Sequence, residues 1–142
     1  MGNLTESRLQ GQLSGGRSQP SPRAIVAEDD PDCRLGVAVL LRHLGYEVTM
    51  ARNGREALAW FRSFGGVALL VTDLAMPSMD GLALTKRVRA LEPNTPVVAI
   101  SGAGPPMMEH FESRIERGMS VLPKPFDRVE FNAAVARATL RA

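Results

Sequence analysis

The sequence predicts an α/β fold, a doubly wound five-stranded parallel sheet with helices on both faces. Three observations carry that expectation. Short apolar runs such as Ala24–Ala27, Val67–Val71 and Pro96–Ile100 have no helical gaps, as strands buried on both faces require. Amphipathic segments of helical length alternate with such strands five times along the chain. Polar residues stand directly after the runs, where an open α/β sheet binds its ligands.

At 142 residues the chain is one domain with room for a sizeable core, and its 44% hydrophobic share is ordinary for a soluble globular protein. A formal charge of +2, with no dense Lys/Arg cluster, argues against nucleic-acid binding. The single cysteine, Cys33, has no internal disulfide partner, which fits a reducing compartment. No stretch has the length of a transmembrane helix, and no basic region followed by an apolar stretch opens the chain. The expectation is a cytoplasmic protein with no membrane or nucleic-acid partner.

Residues Met1 to Pro22, rich in Gly, Ser and Gln, read as a flexible tail, since their few apolar groups cannot offset the entropy of ordering. A native extension and a linker from a larger protein fit equally. The folded unit is expected over 23–142. Its first strand, Ala24–Ala27, runs into Glu28, Asp29 and Asp30, and Pro31 suits the first turn of a helix. That helix is expected to place Leu35, Val39, Leu40 and His43-Leu44 on one side and to close at Gly45. Tyr46–Met50 alternates as a second strand. Asn53-Gly54 opens a helix whose Ala57, Leu58, Trp60 and Phe61 face inward, ending near Gly65-Gly66.

The third strand, Val67–Val71, leads to Asp73, then to a turn at Met76-Pro77 and to Asp80-Gly81. A helix follows to Leu91, with Leu82, Leu84, Val88 and Leu91 at core spacings, stopped by Pro93. The fourth strand, Pro96–Ile100, is followed by Ser101 and a Gly/Pro-rich loop. A helix from about Pro106 carries Met108, Phe111 and Ile115 to Gly118. Met119–Leu122 is a short fifth strand that continues into Pro123-Lys124-Pro125-Phe126. Asp127 caps a last helix carrying Val129, Phe131, Val135 and Ala138.

Glu28, Asp29, Asp73, Ser101 and Lys124 therefore stand just past the carboxyl ends of four strands. Taken singly, Glu28 and Asp29 could be helix-start charges, Asp73 a turn residue, Ser101 a loop hydroxyl and Lys124 a solvated surface group. Jointly they describe a site. Three carboxylates in close quarters need a cation, and an all-oxygen donor set without a His or Cys cluster suits magnesium rather than zinc. A lysine and a hydroxyl beside an ionised aspartate would serve a carboxylate that takes a phosphoryl group.

These residues bring a family into view. From about Arg23 to Leu140 the chain resembles the receiver domain of two-component response regulators. Ala24–Pro31 is similar to the family's acidic-pair segment, Thr72–Gly81 to its phosphoacceptor segment, and Leu122–Phe126 to its Lys-Pro signature, with Ser101 at its Ser/Thr position. The resemblance implies strand order 2-1-3-4-5 in a flavodoxin-like sheet, with Asp73 as phosphoacceptor. It implies that Asp29, Asp73 and the backbone carbonyl of Ala75 bind Mg2+, with Glu28 acting largely through water. Lys124 would pair with Asp73 or the phosphoryl group, Ser101 would swing in to bond it, and the Lys124-Pro125 bond would be cis. The implied donor is a histidine kinase or histidine phosphotransfer protein, and the output goes to a downstream protein partner or attached domain.

Two departures stand out. Val121 replaces the Tyr or Phe usual three residues before the lysine, so the usual ring movement has no ring. Gly102, Ala103 and Gly104 make the loop after Ser101 more flexible than the common pattern, and the output is expected to pass through it to the helix spanning 107–118. Two other functions compete. A haloacid-dehalogenase-like phosphatase needs a second acid two residues after the nucleophile, where Ala75 stands. A degenerate receiver used only as a binding surface is opposed by the intact five-residue set, while Val121 keeps that alternative open.

Overall fold

The computed structural model describes residues 20–102 and 118–140. In chain order these residues form β1 (Arg23–Ala27), α1 (Pro31–His43), β2 (Glu47–Ala51), α2 (Gly54–Phe64), β3 (Leu69–Asp73), α3 (Gly81–Leu91), β4 (Val97–Ser101), β5 (Met119–Pro123) and α4 (Arg128–Leu140). All pairings are parallel and the sheet order is β2-β1-β3-β4-β5, as expected, with β2 at an edge. The expected helix from Pro106, with Met108, Phe111 and Ile115, lies outside the described residues, as does most of the expected tail.

The pleat divides the core. Ile25, Ala27, Leu70, Val97 and Ala99 pack with α2 and α3 on one face, through Ala57, Leu58, Phe61, Leu84 and Val88. Their neighbours Ala24, Val26, Leu69, Val71, Val98 and Ile100 pack with α1 and α4 on the other, through Val37, Leu41, Phe131 and Val135. Successive strand residues point to opposite faces, so a strand covered on both must be apolar throughout. All five residues of β3 and of β4 are buried.

The helix ends follow local chemistry. Asp30, Asn53 and Asp80 each accept, at 2.8 Å, the backbone N–H three residues on, from Cys33, Glu56 and Ala83. Pro31 opens α1, and Asp127 with Glu130 forms a reciprocal capping pair before α4. Gly45 and Gly65 follow α1 and α2 with φ of 95° and 72°, where the chain turns left-handed.

Several inward-facing expectations are corrected. The buried face of α1 is Val37, Ala38 and Leu41, while Leu35, Val39 and Leu44 are exposed and Leu40 is half-buried. The helix carries apolar residues around most of its circumference, so periodicity alone does not choose a face. Trp60 is exposed, its ring stacked on Phe64 with centroids 5.6 Å apart. Leu91 and Val129 lie in the terminal turns of α3 and α4 and are exposed as well. Strand β3 also starts and ends later than the apolar run suggested, so Asp73 is its last residue.

Candidate functional site

Parallel pairing sets the carboxyl ends of β1, β3, β4 and β5 along one rim, where Asp73 and Ser101 end their strands and Glu28, Asp29 and Lys124 directly follow theirs. Beyond β1, the Glu28 N–H still bonds the Ala51 carbonyl of β2 at 3.1 Å. The Glu28 side chain is buried, 2% exposed, whereas Asp29 is exposed. At the end of β3, Asp73 is 6% exposed and its Oδ1 accepts the Ala75 N–H at 3.1 Å. One carboxylate oxygen from each of Glu28, Asp29 and Asp73 lies within 4.8 Å of the others.

Lys124 follows β5 and is tied back by its N–H to the Ser101 carbonyl at 2.7 Å. Its Nζ lies 3.2 Å from Glu28 Oε1 and 3.5 Å from Asp73 Oδ2, so in this structure it is nearer Glu28 than Asp73. The Lys124-Pro125 bond is cis. Ser101 is buried at the end of β4, which pairs Asp73 with Ile100 and Ser101 with Pro123. All five residues named from the sequence are thus placed on the same rim. A Cβ on Gly102 would meet the Lys124 Cδ at 3.5 Å, an ordinary contact, so the lysine does not itself require glycine there.

Among the described residues the negative charge of the site is only partly compensated. Burial pushes the Glu28 carboxyl above its ordinary value. Bonds from the Asp30 N–H and the Cys33 thiol pull the other way, the neighbouring Asp73 raises it, and Lys124 offsets part of that. For Lys124, burial works downward, but Asp73 and Glu28 outweigh it and hold the ammonium above its usual range. One ammonium contacts two carboxylates, and a third stands beside them. The remaining negative charge and the hard oxygen donors fit a divalent cation that favours oxygen, as magnesium does. Among the described residues no helix is long and apolar enough to cross a membrane.

The β3–α3 loop is built around Asp73. The Thr72 hydroxyl donates to the Asp73 carbonyl at 2.9 Å, the Leu74 N–H to Ile100 at 2.8 Å, and the Gly81 N–H back to Leu74 at 3.0 Å. Ser78 takes a positive φ of 71° within this loop. Val121 is half-buried against the α2–α3 side of the core.

Two neighbours carried no sequence signal. Arg34 reaches back from α1, its Nη1 2.8 Å from the Glu28 carbonyl. Cys33 packs at the edge of the α1–α4 core beside Glu28 and Lys124. Burial, followed by the bond to the Glu28 carboxylate, pushes its thiol up to about 11. Alkylation of Cys33 should therefore rise about tenfold per pH unit up to pH ~10, where an ordinary thiol saturates above pH ~8.5. Mass spectrometry after timed iodoacetamide pulses reads this, and a plateau below pH ~9 would contradict the placement of the thiol.

Comparison with known proteins bears on the fold that carries this site. The family model for the response regulator receiver domain matches residues 24–136. The chain is 35% identical over 104 residues to the response regulator receiver protein CpdR of Brucella abortus, spanning 73% of this chain and 85% of that protein. It is 35% identical over 120 residues to the DNA-binding transcriptional regulator NtrC of a Bradyrhizobium species, spanning 84% of this chain but only 24% of that larger protein. The crystal structure of a response regulator receiver protein from Sinorhizobium medicae superposes with a TM-score of 0.76 at 25% identity, covering 84% of this chain and 95% of that one. With the family model matched over most of the chain and the five parallel strands in the order found here, the chain belongs to the response regulator receiver domain family.

Proposed function

We propose that residues 23–142 act as a phosphoacceptor in a two-component phosphorelay, with Asp73 taking a phosphoryl group from a phosphohistidine of a histidine kinase or histidine phosphotransfer protein. The observation that carries this reading is the convergence of Glu28, Asp29 and Asp73 within 4.8 Å, with the Lys124 ammonium 3.5 Å from Asp73 Oδ2. Asp29 and Asp73, with the backbone carbonyl of Ala75, would hold Mg2+, and Glu28 would act largely through water. When bound, the ion neutralises charge on the phosphoryl oxygens.

The remaining work falls to the chain. An Asp73 carboxylate oxygen forms the new P–O bond as the P–N bond to the donor imidazole breaks, and the electron pair of that bond stays on the imidazole nitrogen. No base has to remove a proton, because aspartate is ionised at neutral pH. Lys124 offers a point charge to the arriving phosphoryl oxygens, and Ser101 offers a hydroxyl donor. With Val121 in place of a ring, the switch that follows would be a backbone rearrangement of the loop after Ser101, signalling to a downstream protein partner or attached domain. The domain would work in the cytoplasm and would be no enzyme beyond its own phosphorylation and dephosphorylation.

The test is transfer from a 32P-labelled histidine phosphotransfer protein to the full chain. Label should move to this chain with magnesium present and should stop when the metal is chelated. Label that stays on the donor with each of several phosphotransfer proteins, together with no labelling by acetyl phosphate, would leave only a binding module.

A further inference from the structure

We infer that Arg34 is a positioning residue for the acidic pair, holding the stretch of backbone that carries Glu28 and Asp29; this rests on the reading of the rim as a magnesium-dependent phosphoacceptor site. The pairings of β1 end at Ala27, opposite Ala51 on one side and Thr72 on the other. Past that point the carbonyls of Glu28 and Asp29 have left the ladder, yet both side chains must face the Asp73 carboxylate to share a cation with it. A carbonyl leaving a sheet needs a donor, and a ligand-bearing turn needs a fixed direction.

Arg34 supplies both. It stands in the first turns of α1, and helical side chains lean toward the N-terminus, so its guanidinium is carried back over the β1–α1 turn. Nη1 lies 2.8 Å from the Glu28 carbonyl and 3.5 Å from that of Asp29. The Arg34 N–H meanwhile closes the first helical bond to the Asp30 carbonyl at 2.9 Å. One residue thus ties the helix start to the acidic turn through backbone and side chain at once.

Its location breaks a local rule. A cation near a helix N-terminus opposes the macrodipole, and departures from local preference gather at functional sites. The groups that perturb the Glu28 carboxyl are Asp30, Cys33, Asp73 and Lys124. Arg34 acts on the carbonyl of that residue, through the chain. Its removal should therefore loosen the pair without removing any group that meets the phosphoryl donor.

The test uses the full chain as wild type, Arg34→Gln and Arg34→Lys. Magnesium binding is measured by calorimetry, and the rate of acetyl phosphate labelling is followed against magnesium concentration. Arg34→Gln should raise the magnesium Kd and the half-saturating concentration about tenfold, the range seen when an outer partner of a metal ligand is lost. The maximal labelling rate at saturating metal should stay within about twofold, since ligand placement and not chemistry is affected. Arg34→Lys, which keeps a donor of similar reach, should recover most of the affinity. Unchanged or tighter magnesium binding by Arg34→Gln, beside normal wild-type labelling, overturns this inference alone. So does a maximal rate that falls as much as the affinity, which would mark general damage to the fold. A wild-type protein that binds no magnesium overturns the functional reading and this inference together.

Discussion

Asp73→Asn should take up no phosphoryl group from acetyl phosphate with magnesium, while the wild-type chain takes up one that survives acid and is lost in base. The amide has nearly the shape of the carboxylate but no ionised oxygen to attack phosphorus. Asp29 is not expected to substitute. It is more exposed and is not among the carboxylates that pair with Lys124, whereas Asp73 meets both the Lys124 ammonium and the Ala75 N–H. The fold should persist, because the substitution also relieves the repulsion that Asp73 exerts on the buried Glu28 carboxyl. Intact-mass measurement after a timed incubation reads the outcome. Undiminished labelling of Asp73→Asn would move the acceptor elsewhere and undo the proposed chemistry.

The second large effect concerns stability, and its sign depends on position. Gly81→Ala should destabilise the protein by about 1–3 kcal/mol, the usual cost of forcing extra volume into a packed site. A Cβ on Gly81 would collide with the Asp73 carbonyl oxygen and press on Leu74 Cα at 3.0 Å, and both are backbone atoms that cannot step aside. Gly36→Ala, in α1, is the control. A Cβ there meets nothing within 4 Å, so the gain in helix propensity should stabilise by about 0.5–1 kcal/mol. Urea unfolding of both variants gives the comparison. Because the Gly81 collision is with the acceptor residue itself, labelling of Asp73 should also slow in Gly81→Ala and remain unchanged in Gly36→Ala. Equal stability changes in the two variants would show that the close approach of α3 to Asp73 is not rigid.

The two glycines mark where reading a sequence stops. Gly81 opens α3 behind the Asp80 cap and Gly36 lies inside α1, but neither position shows along the chain what a Cβ would meet. The difference lies in what the fold brings within 3 Å.

What the sequence by itself determined was the alternation of strands and helices and the rim on which the polar groups meet. Strands buried on both faces must be continuous apolar runs, and helices need caps such as Asp30, Asn53 and Asp127, so the elements are legible in order even where an end, as in β3, falls elsewhere. Parallel strands send their carboxyl ends to one side, which makes the gathering of Glu28, Asp29, Asp73, Ser101 and Lys124 a consequence of chain order. Only the tertiary structure decided which side of α1 is buried, because Leu35 and Val39 repeat with the same spacing as Val37 and Leu41. It also decided that Lys124 rests closer to Glu28 than to Asp73, that Cys33 borders their pair, and that Arg34 holds the Glu28 carbonyl. Those are contacts between groups on different elements, set by distances of a few tenths of an ångström after packing, and no spacing along the chain encodes them.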